Sequence, residues 1–316
     1  MANDQFHNTI TTFPANRLAQ AVSLNLAARY GSFINALPAM ETADYFTDGF
    51  ESGDWNKARP GDGVKFWKGN SWSSIVTQTQ GSTPGKATVV YNGSPVNIEV
   101  EDRDWTAVEG DYCLRARYNA NAVDNATQTW EIREEDAMPE IYMGFKLRVP
   151  TNFRKREGNN KLLIMWMDGR SNKGSGSSTS MEFRGTDGAN WFVKVAPGNY
   201  QGTSGDQDPV PFITYPDDQG RWMTIVFYSK VESSPGASDG VVKVWRAWEG
   251  DSEFEFTHHI TGQSIKLPDN ASDPQGFRGC EMLGWPNGTY YETTEFLMDD
   301  VRISSTPLVP VGTAGL

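Results

Sequence analysis

The sequence predicts an all-β protein, an antiparallel β-sandwich preceded by one short α-helical segment. Three observations point there. After residue 40 the apolar residues fall in short runs that alternate every second position, separated by clusters of Gly, Pro, Asn, Asp and Ser. Few stretches in that region carry a helical period, so the α crossovers that parallel strands need are missing. Aromatic residues make up 12% of the chain and include eleven Trp, and two large sheets need wide side chains between them.

Residues 1–12 are polar and read as extended. A helix is expected from about Pro14 to Tyr30. Thr12 can cap it, and Pro14 suits a first turn because its missing N–H would have no partner there. Leu18, Val22, Leu26 and Tyr30 recur every four residues, with Ala21, Leu24 and Ala28 widening the stripe. Arg29 lies in the last turn and Gly31 stands just beyond it, both suited to a helix C-terminus. An apolar stripe must be buried, either on its own domain or on a larger assembly, and the polar leader ahead of it favours the assembly.

Thirteen strands are expected from there on: Ser71–Thr77, Thr88–Tyr91, Val96–Val100, Tyr112–Tyr118, Thr127–Arg133, Glu140–Val149, Lys161–Asp168, Ser178–Arg184, Trp191–Ala196, Arg221–Val231, Gly240–Trp248, Cys280–Gly284 and Thr294–Ile303. Gly-, Ser- and Asp-rich loops separate several of them, and Pro307–Leu316 reads as an extended tail. The expected organisation is an N-terminal arm and helix for attachment or oligomerisation (1–40), a sandwich (41–306) and the tail (307–316).

The formal net charge of −12 argues against nucleic acid as a main partner, because neutralising phosphates requires clustered Lys and Arg. No apolar run is long enough to span a bilayer. Residues 1–20 lack a cationic stretch followed by an apolar one, so export by a cleaved signal peptide is not expected. Cys113 and Cys280 read as two reduced, mostly buried thiols, with one long-range disulfide as the alternative. Three histidines, His7, His258 and His259, are too few and scattered for a zinc site.

Three segments carry a family resemblance: YFTDGFESGDW (Tyr45–Trp55), MPEIYMGFKLRVPTNFRKREGNNKLLIMWMDG (Met138–Gly169) and TTEFLMDDVRIS (Thr293–Ser304). Together they resemble the concanavalin A-like jelly roll of heparin-lyase-type polysaccharide lyases, a domain also carried by bacteriophage virion proteins. The resemblance implies a sugar-contacting sandwich over residues 41–306. It is specific for fold and not for chemistry, since jelly rolls host unrelated functions.

In NKLLIMWMD, strict alternation puts Lys161, Leu163, Met165 and Met167 on one side and Leu162, Ile164, Trp166 and Asp168 on the other. Trp166, Trp191 and Trp245 are the candidate glycan-binding aromatics, because an indole face stacks on the apolar face of a pyranose. Most of the tryptophans should be core, with two or three exposed in a groove. A lyase must neutralise a uronate, remove the adjacent proton and protonate the leaving oxygen. The candidates for those tasks are Lys161, Arg184, Lys194, Tyr228 and His258 with its neighbour His259, although no complete set falls on the family pattern. The acidic run Glu131–Asp136 does not present the paired carboxylates of glycoside hydrolysis and reads as a solvated strand end.

No cofactor is expected to be required. The resemblance implies a structural calcium between the opening turn and the last strand, with Asp48, Glu51, Asp299 and Asp300 as oxygen donors. The functional expectation is a structural or adhesion protein of a bacteriophage particle, made in the host cytoplasm and located in the virion. Its partners would be other virion proteins or sister subunits through the N-terminal segment, and a host surface polysaccharide, with no membrane insertion. The alternatives are a polysaccharide lyase acting on uronate-containing glycans by β-elimination, secreted by a non-classical route if not virion-borne, and a stand-alone carbohydrate-binding module.

Overall fold

A computed structural model describes residues 44–70, 73–78, 85–91, 94–100, 105–121, 128–167, 176–196, 210–284 and 286–316. The expected helix, with Leu18, Val22, Leu26 and Tyr30, lies outside the described residues, as does the whole of the 1–40 arm.

Two antiparallel sheets pack face to face in a jelly-roll sandwich. The strands are β1 (Asp44–Asp48), β2 (Trp67–Asn70), β3 (Ser73–Thr77), β4 (Gly85–Tyr91), β5 (Ser94–Val100), β6 (Tyr112–Tyr118), β7 (Gln128–Glu131), β8 (Glu140–Arg148) and β9 (Asn159–Trp166). They continue as β10 (Ser178–Arg184), β11 (Gly188–Ala196), β12 (Val210–Thr214), β13 (Trp222–Lys230), β14 (Gly240–Trp248), β15 (Glu255–Gln263), β16 (Gly279–Met282) and β17 (Thr294–Ser304). The first sheet runs β15-β14-β13-β8-β17-β6-β3, with β1 also paired to β17. The second runs β12-β11-β10-β9-β16-β7-β2, and β4 and β5 form a separate hairpin.

Alternation explains the packing. Ile141, Met143, Phe145 and Leu147 of β8 and Met223, Ile225 and Phe227 of β13 enter the inter-sheet core. They meet Leu163, Met165, Met181, Phe183, Cys280 and Met282 of the second sheet. The core is closed at one end by Phe46, Phe66, Trp67 and Trp130, with Phe46 and Phe66 stacked. At the other end Phe153, Phe183, Tyr290 and Phe296 meet edge to face or tilted.

The first sheet's outer face is covered by the chain itself. Trp105, Ala107 and Val108 lie over Val76, Cys113, Trp222 and Leu297. Leu308 and Val309 lie over Tyr142, Val226, Tyr228 and Trp245. The segment read from the sequence as an extended tail is therefore part of the packing. Trp245 Nε1 donates to Ala314 O at 2.8 Å, and Lys243 Nζ to Gly315 O at 2.6 Å.

Candidate functional site

The site is built on the outer face of the second sheet, and a bulge in β9 creates it. Met181 pairs with Leu163 and Glu182 with Lys161, so Leu162 is an extra residue in the ladder. Leu162 and Leu163 both enter the core. The bulge thereby breaks the strict alternation read from the sequence. Lys161 joins Ile164 and Trp166 on the outer face, while Leu162 moves to the face of Leu163 and Met165.

The neighbouring strands complete this face by register. Ile164 is flanked by Ser180 of β10 and Glu281 of β16, and Glu281 by Thr129 of β7. Lys161 is flanked by Glu182, whose own neighbours Met181 and Phe183 are core residues. Asn159 Nδ2 donates to Glu182 Oε2. Gly284 leaves the space beside Lys161 open: a Cβ there would stand 2.5 Å from Glu281 Oε1 and 3.1 Å from the Lys161 Cβ.

These side chains turn away from the inter-sheet core and are nevertheless deep. Trp166 is 7% exposed, Lys161 5%, and Glu182 and Glu281 2% each. Trp166 Nε1, Ser178 Oγ and Thr129 Oγ1 have no hydrogen-bond partner among the described residues. Unpaired buried donors are costly, and several on one face mark a surface whose polar partners come from elsewhere. The face opens at the far end of β10, where Arg184 and Asn190 are exposed. Chemically it offers an indole, a cation, two carboxylates, hydroxyls and an amide, the complement of a sugar's apolar face and hydroxyls.

Of the other expected residues, Arg184 shares this face at its open end, and the rest are placed as follows. Arg184 ends β10, with Asn159 and Asn190 as Cα partners. Lys194 and Trp191 are on β11, paired with Ser180 and Phe183, and their side chains lie outside the described residues. Tyr228 and Trp245 sit on the outer face of the opposite sheet, beneath Leu308 and Val309. Tyr228 donates to Glu140 Oε1 at 2.7 Å, and burial first, then Glu140, pushes its phenol well up. His258 is buried on edge strand β15, opposite core residue Val244. The sandwich therefore separates Lys161 from Tyr228 and His258.

The eight described tryptophans include none that is exposed, so the expected two or three groove tryptophans do not appear among the described residues. Trp245 and Trp248 do lie on opposite faces of β14: Trp245 is with the outer cluster, and Trp248 packs against the core.

The opening turn and the last strand meet, with Asp48 opposite Val301. Their carboxylates serve other partners, however. Asp48 accepts from Phe50 N and Trp67 Nε1, and burial raises its pKa. Glu51 accepts from Asp111 N and Tyr112 N. Asp299 accepts from Val108 N, Glu109 N and Asp300 N, and burial pushes it well up. Asp300 pairs with Lys146 at 3.1 Å and with Arg302 at 2.9 Å. Among the described residues no group of three or more His, Cys, Asp or Glu could hold a metal ion, so the calcium expectation finds no convergent donors there.

Sequence reading missed Glu182, Glu281, Asn159, Ser178 and Thr129. A signal existed for the two acids: each stands singly between core hydrophobes, in Met-Glu-Phe and Cys-Glu-Met.

No protein-family model matches the sequence, and no curated protein matches it either. Among solved structures the chain is similar to an endo-β-1,4-glucuronan lyase from the fungus Trichoderma reesei. The identity is 12%, over 86% of this chain and 100% of that one, with a TM-score of 0.48. It is similar to a double mutant of the alginate lyase Aly36B in complex with an alginate tetrasaccharide, at 11% identity over 76% and 100% of the two chains, TM-score 0.45. It is also similar to the binding domain of botulinum neurotoxin serotype C1, at 9% identity over 72% and 49%, TM-score 0.41. At these identities the likeness is one of chain path.

Proposed function

We propose that the chain binds a polysaccharide on the outer face of its second sheet, as the glycan-contacting sandwich of a bacteriophage particle. The observation that carries the binding reading is the bulge at Leu162. It gathers Lys161 and Trp166 onto one face with Glu182, Glu281 and three hydrogen-bonding groups that have no partner among the described residues. The indole supplies a stacking surface, and the charged and hydroxyl groups supply orientation. The virion reading is supported by the spacing of Leu18, Val22, Leu26 and Tyr30 ahead of the sandwich, and by the family resemblance.

Calorimetric titration of the full chain with host surface glycans tests the binding. Trp166→Ala is expected to weaken it at least tenfold, roughly the cost of removing a central aromatic anchor. Unchanged affinity in that variant sinks the assignment of the face. The assembly reading is tested by the mass in solution of the full chain against one lacking residues 1–40. A monomer in both cases, with no recovery of the protein in purified particles, refutes it.

A lyase is the second reading, favoured by the position of Lys161 between two carboxylate strands. A lysine so placed can hold a uronate carboxylate while an acid on either side exchanges a proton. Ultraviolet absorbance of unsaturated uronates, lost in Lys161→Ala, is the result that would select it over binding alone.

A further inference from the structure

Beyond Trp166 the glycan face runs into a cleft of about 440 Å³ lined by Arg59, Asp62, Lys68, Glu131, Arg133, Glu134, Glu135 and Arg278. The two are continuous. Gly279 lies between Trp166 and Glu131 in the ladder, and Arg278 N donates to Trp166 O at 2.9 Å. Gly279 contributes no side chain, so nothing from that position separates the indole from the cleft.

The charges of the cleft are held unequally. Asp62 is gripped by both Nε and Nη2 of Arg59. Glu131 pairs with Arg278, and Asp136, just outside, is fixed by Arg133 and by the Tyr45 hydroxyl. Glu134 and Glu135 lie between these anchors, on a one-turn 3-10 helix with no buried residue. Glu134 touches Arg278 at 2.8 Å and Glu135 touches Arg133 at 2.9 Å, with 72% and 64% of their side chains exposed. Of the cations, Arg278 is the fixed one, while Lys68 is exposed. Arg278 is 8% exposed and its Nε has no partner among the described residues. Lys68 forms no ion pair among the described residues. Burial, and then the charge of Arg59, holds both Arg278 and Lys68 below their ordinary values, so positive charges crowd here.

We propose that this cleft is an anion-binding subsite at the end of the glycan face, and that Glu134 and Glu135 occupy it in the free protein as stand-ins for a ligand's carboxylate or sulfate. Its polymer ligand rests on the glycan reading above; its affinity for a simple anion does not. An incoming anionic group displaces the exposed Glu134 from Arg278 and gains Lys68 as well. One carboxylate replaces another on a fixed guanidinium, so the exchange strands no buried charge.

The test uses the full chain at constant ionic strength. Sodium sulfate and sodium glucuronate are titrated separately against the arginine Nε–Hε resonances, which also separates the two anion chemistries. Anionic and neutral oligosaccharides are then compared by calorimetry. Saturable shifts are expected in the Arg278 resonance. Glu134→Gln should tighten anionic ligands several-fold and Lys68→Ala should weaken them several-fold, with neutral oligosaccharides unaffected by either. No saturable shift with either anion, or a Glu134→Gln variant that binds anions no better than the parent, overturns the proposal. Anions that saturate the cleft when no oligosaccharide of either kind binds would uphold the subsite and refute the glycan reading.

Discussion

Lys155 is a costly residue in the fold, a fully buried ammonium without a carboxylate partner among the described residues. It stands in Phe-Arg-Lys-Arg-Glu-Gly, and lysine is among the residue types least often fully buried. A bridge to Tyr290 instead pulls it fully under the surface. The Nζ has no hydrogen-bond partner among the described residues and lies 5.3 Å from the Tyr290 ring, whose face returns part of the lost hydration. Burial pushes the ammonium down from 10.5 to about 8. The consequence for stability follows from proton counts. Below about pH 8 both folded and unfolded states carry the proton, and the fold bears the whole desolvation cost. Between about 8 and 10.5 only the unfolded chain holds it, so this residue's contribution to stability improves as pH rises. Lys155→Met is therefore expected to stabilise the protein by on the order of 1–3 kcal/mol at pH 7. The gain should shrink toward pH 10, as read by urea melts of parent and variant in parallel. A constant difference across that range would place the cost in packing rather than in charge. Lys161 illustrates the same limit on reading single residues. Its chemistry was legible, but its face was set by the bulge at Leu162, which no residue in Asn-Lys-Leu-Leu-Ile announces.

At the scale of elements, the strands with a buried, alternating face were legible. Ser178–Arg184, Tyr112–Tyr118 and Gly240–Trp248 fall where their patterns put them. The four strands missed are β1, β2, β12 and β15. β12 contains Pro211, and β15, Glu-Phe-Thr-His-His-Ile-Thr-Gly-Gln, presents mostly polar residues as an edge strand does. β1 and β2 are short and sit among turn residues. The packing of the segment after β17 was not legible for a different reason: two apolar residues, Leu308 and Val309, carry no period, and their burial depends on a sheet face far away in sequence. Burying each is worth roughly 1.5–3 kcal/mol. Deleting Pro307–Leu316 uncovers Trp245, Val226 and Tyr228 and removes the acceptor of the Trp245 indole. The deletion is expected to cost about 3 kcal/mol or more in denaturant melts, with a red shift of tryptophan emission in the folded state. Leu308→Ala alone should cost about 2 kcal/mol or more. A deletion variant with unchanged stability would mean that the segment does not hold this face in solution.

Across the whole molecule, the two thiols report on two different layers. Cys113 and Cys280 are both free and buried, in agreement with the reduced pair expected from their spacing. Cys280 lies in the inter-sheet core, its Sγ 4.0 Å from Met143 Sδ of the opposite sheet, and burial pushes its thiol well up. Cys113 lies on the outer side of the first sheet, under the Trp105–Val108 cover, with Sγ 3.7 Å from Trp105 O. Freeing Cys280 requires the sheets to part, and each sheet is laced from strands distant in sequence, as in β8 between β13 and β17. Such a core opens cooperatively, whereas a covering segment can lift by itself. Thiol-specific labelling under native conditions is therefore expected to modify Cys113 first, at a rate that Ala107 and Val108 substitutions accelerate. Cys280 should be labelled only at the rate of global unfolding, with the denaturant dependence of the full transition. A reducing agent should leave the melting temperature unchanged. Equal labelling rates for the two cysteines at low denaturant would show that the outer cover and the inter-sheet core unfold as one unit, and that the cover belongs to the fold's cooperative centre rather than to its rim.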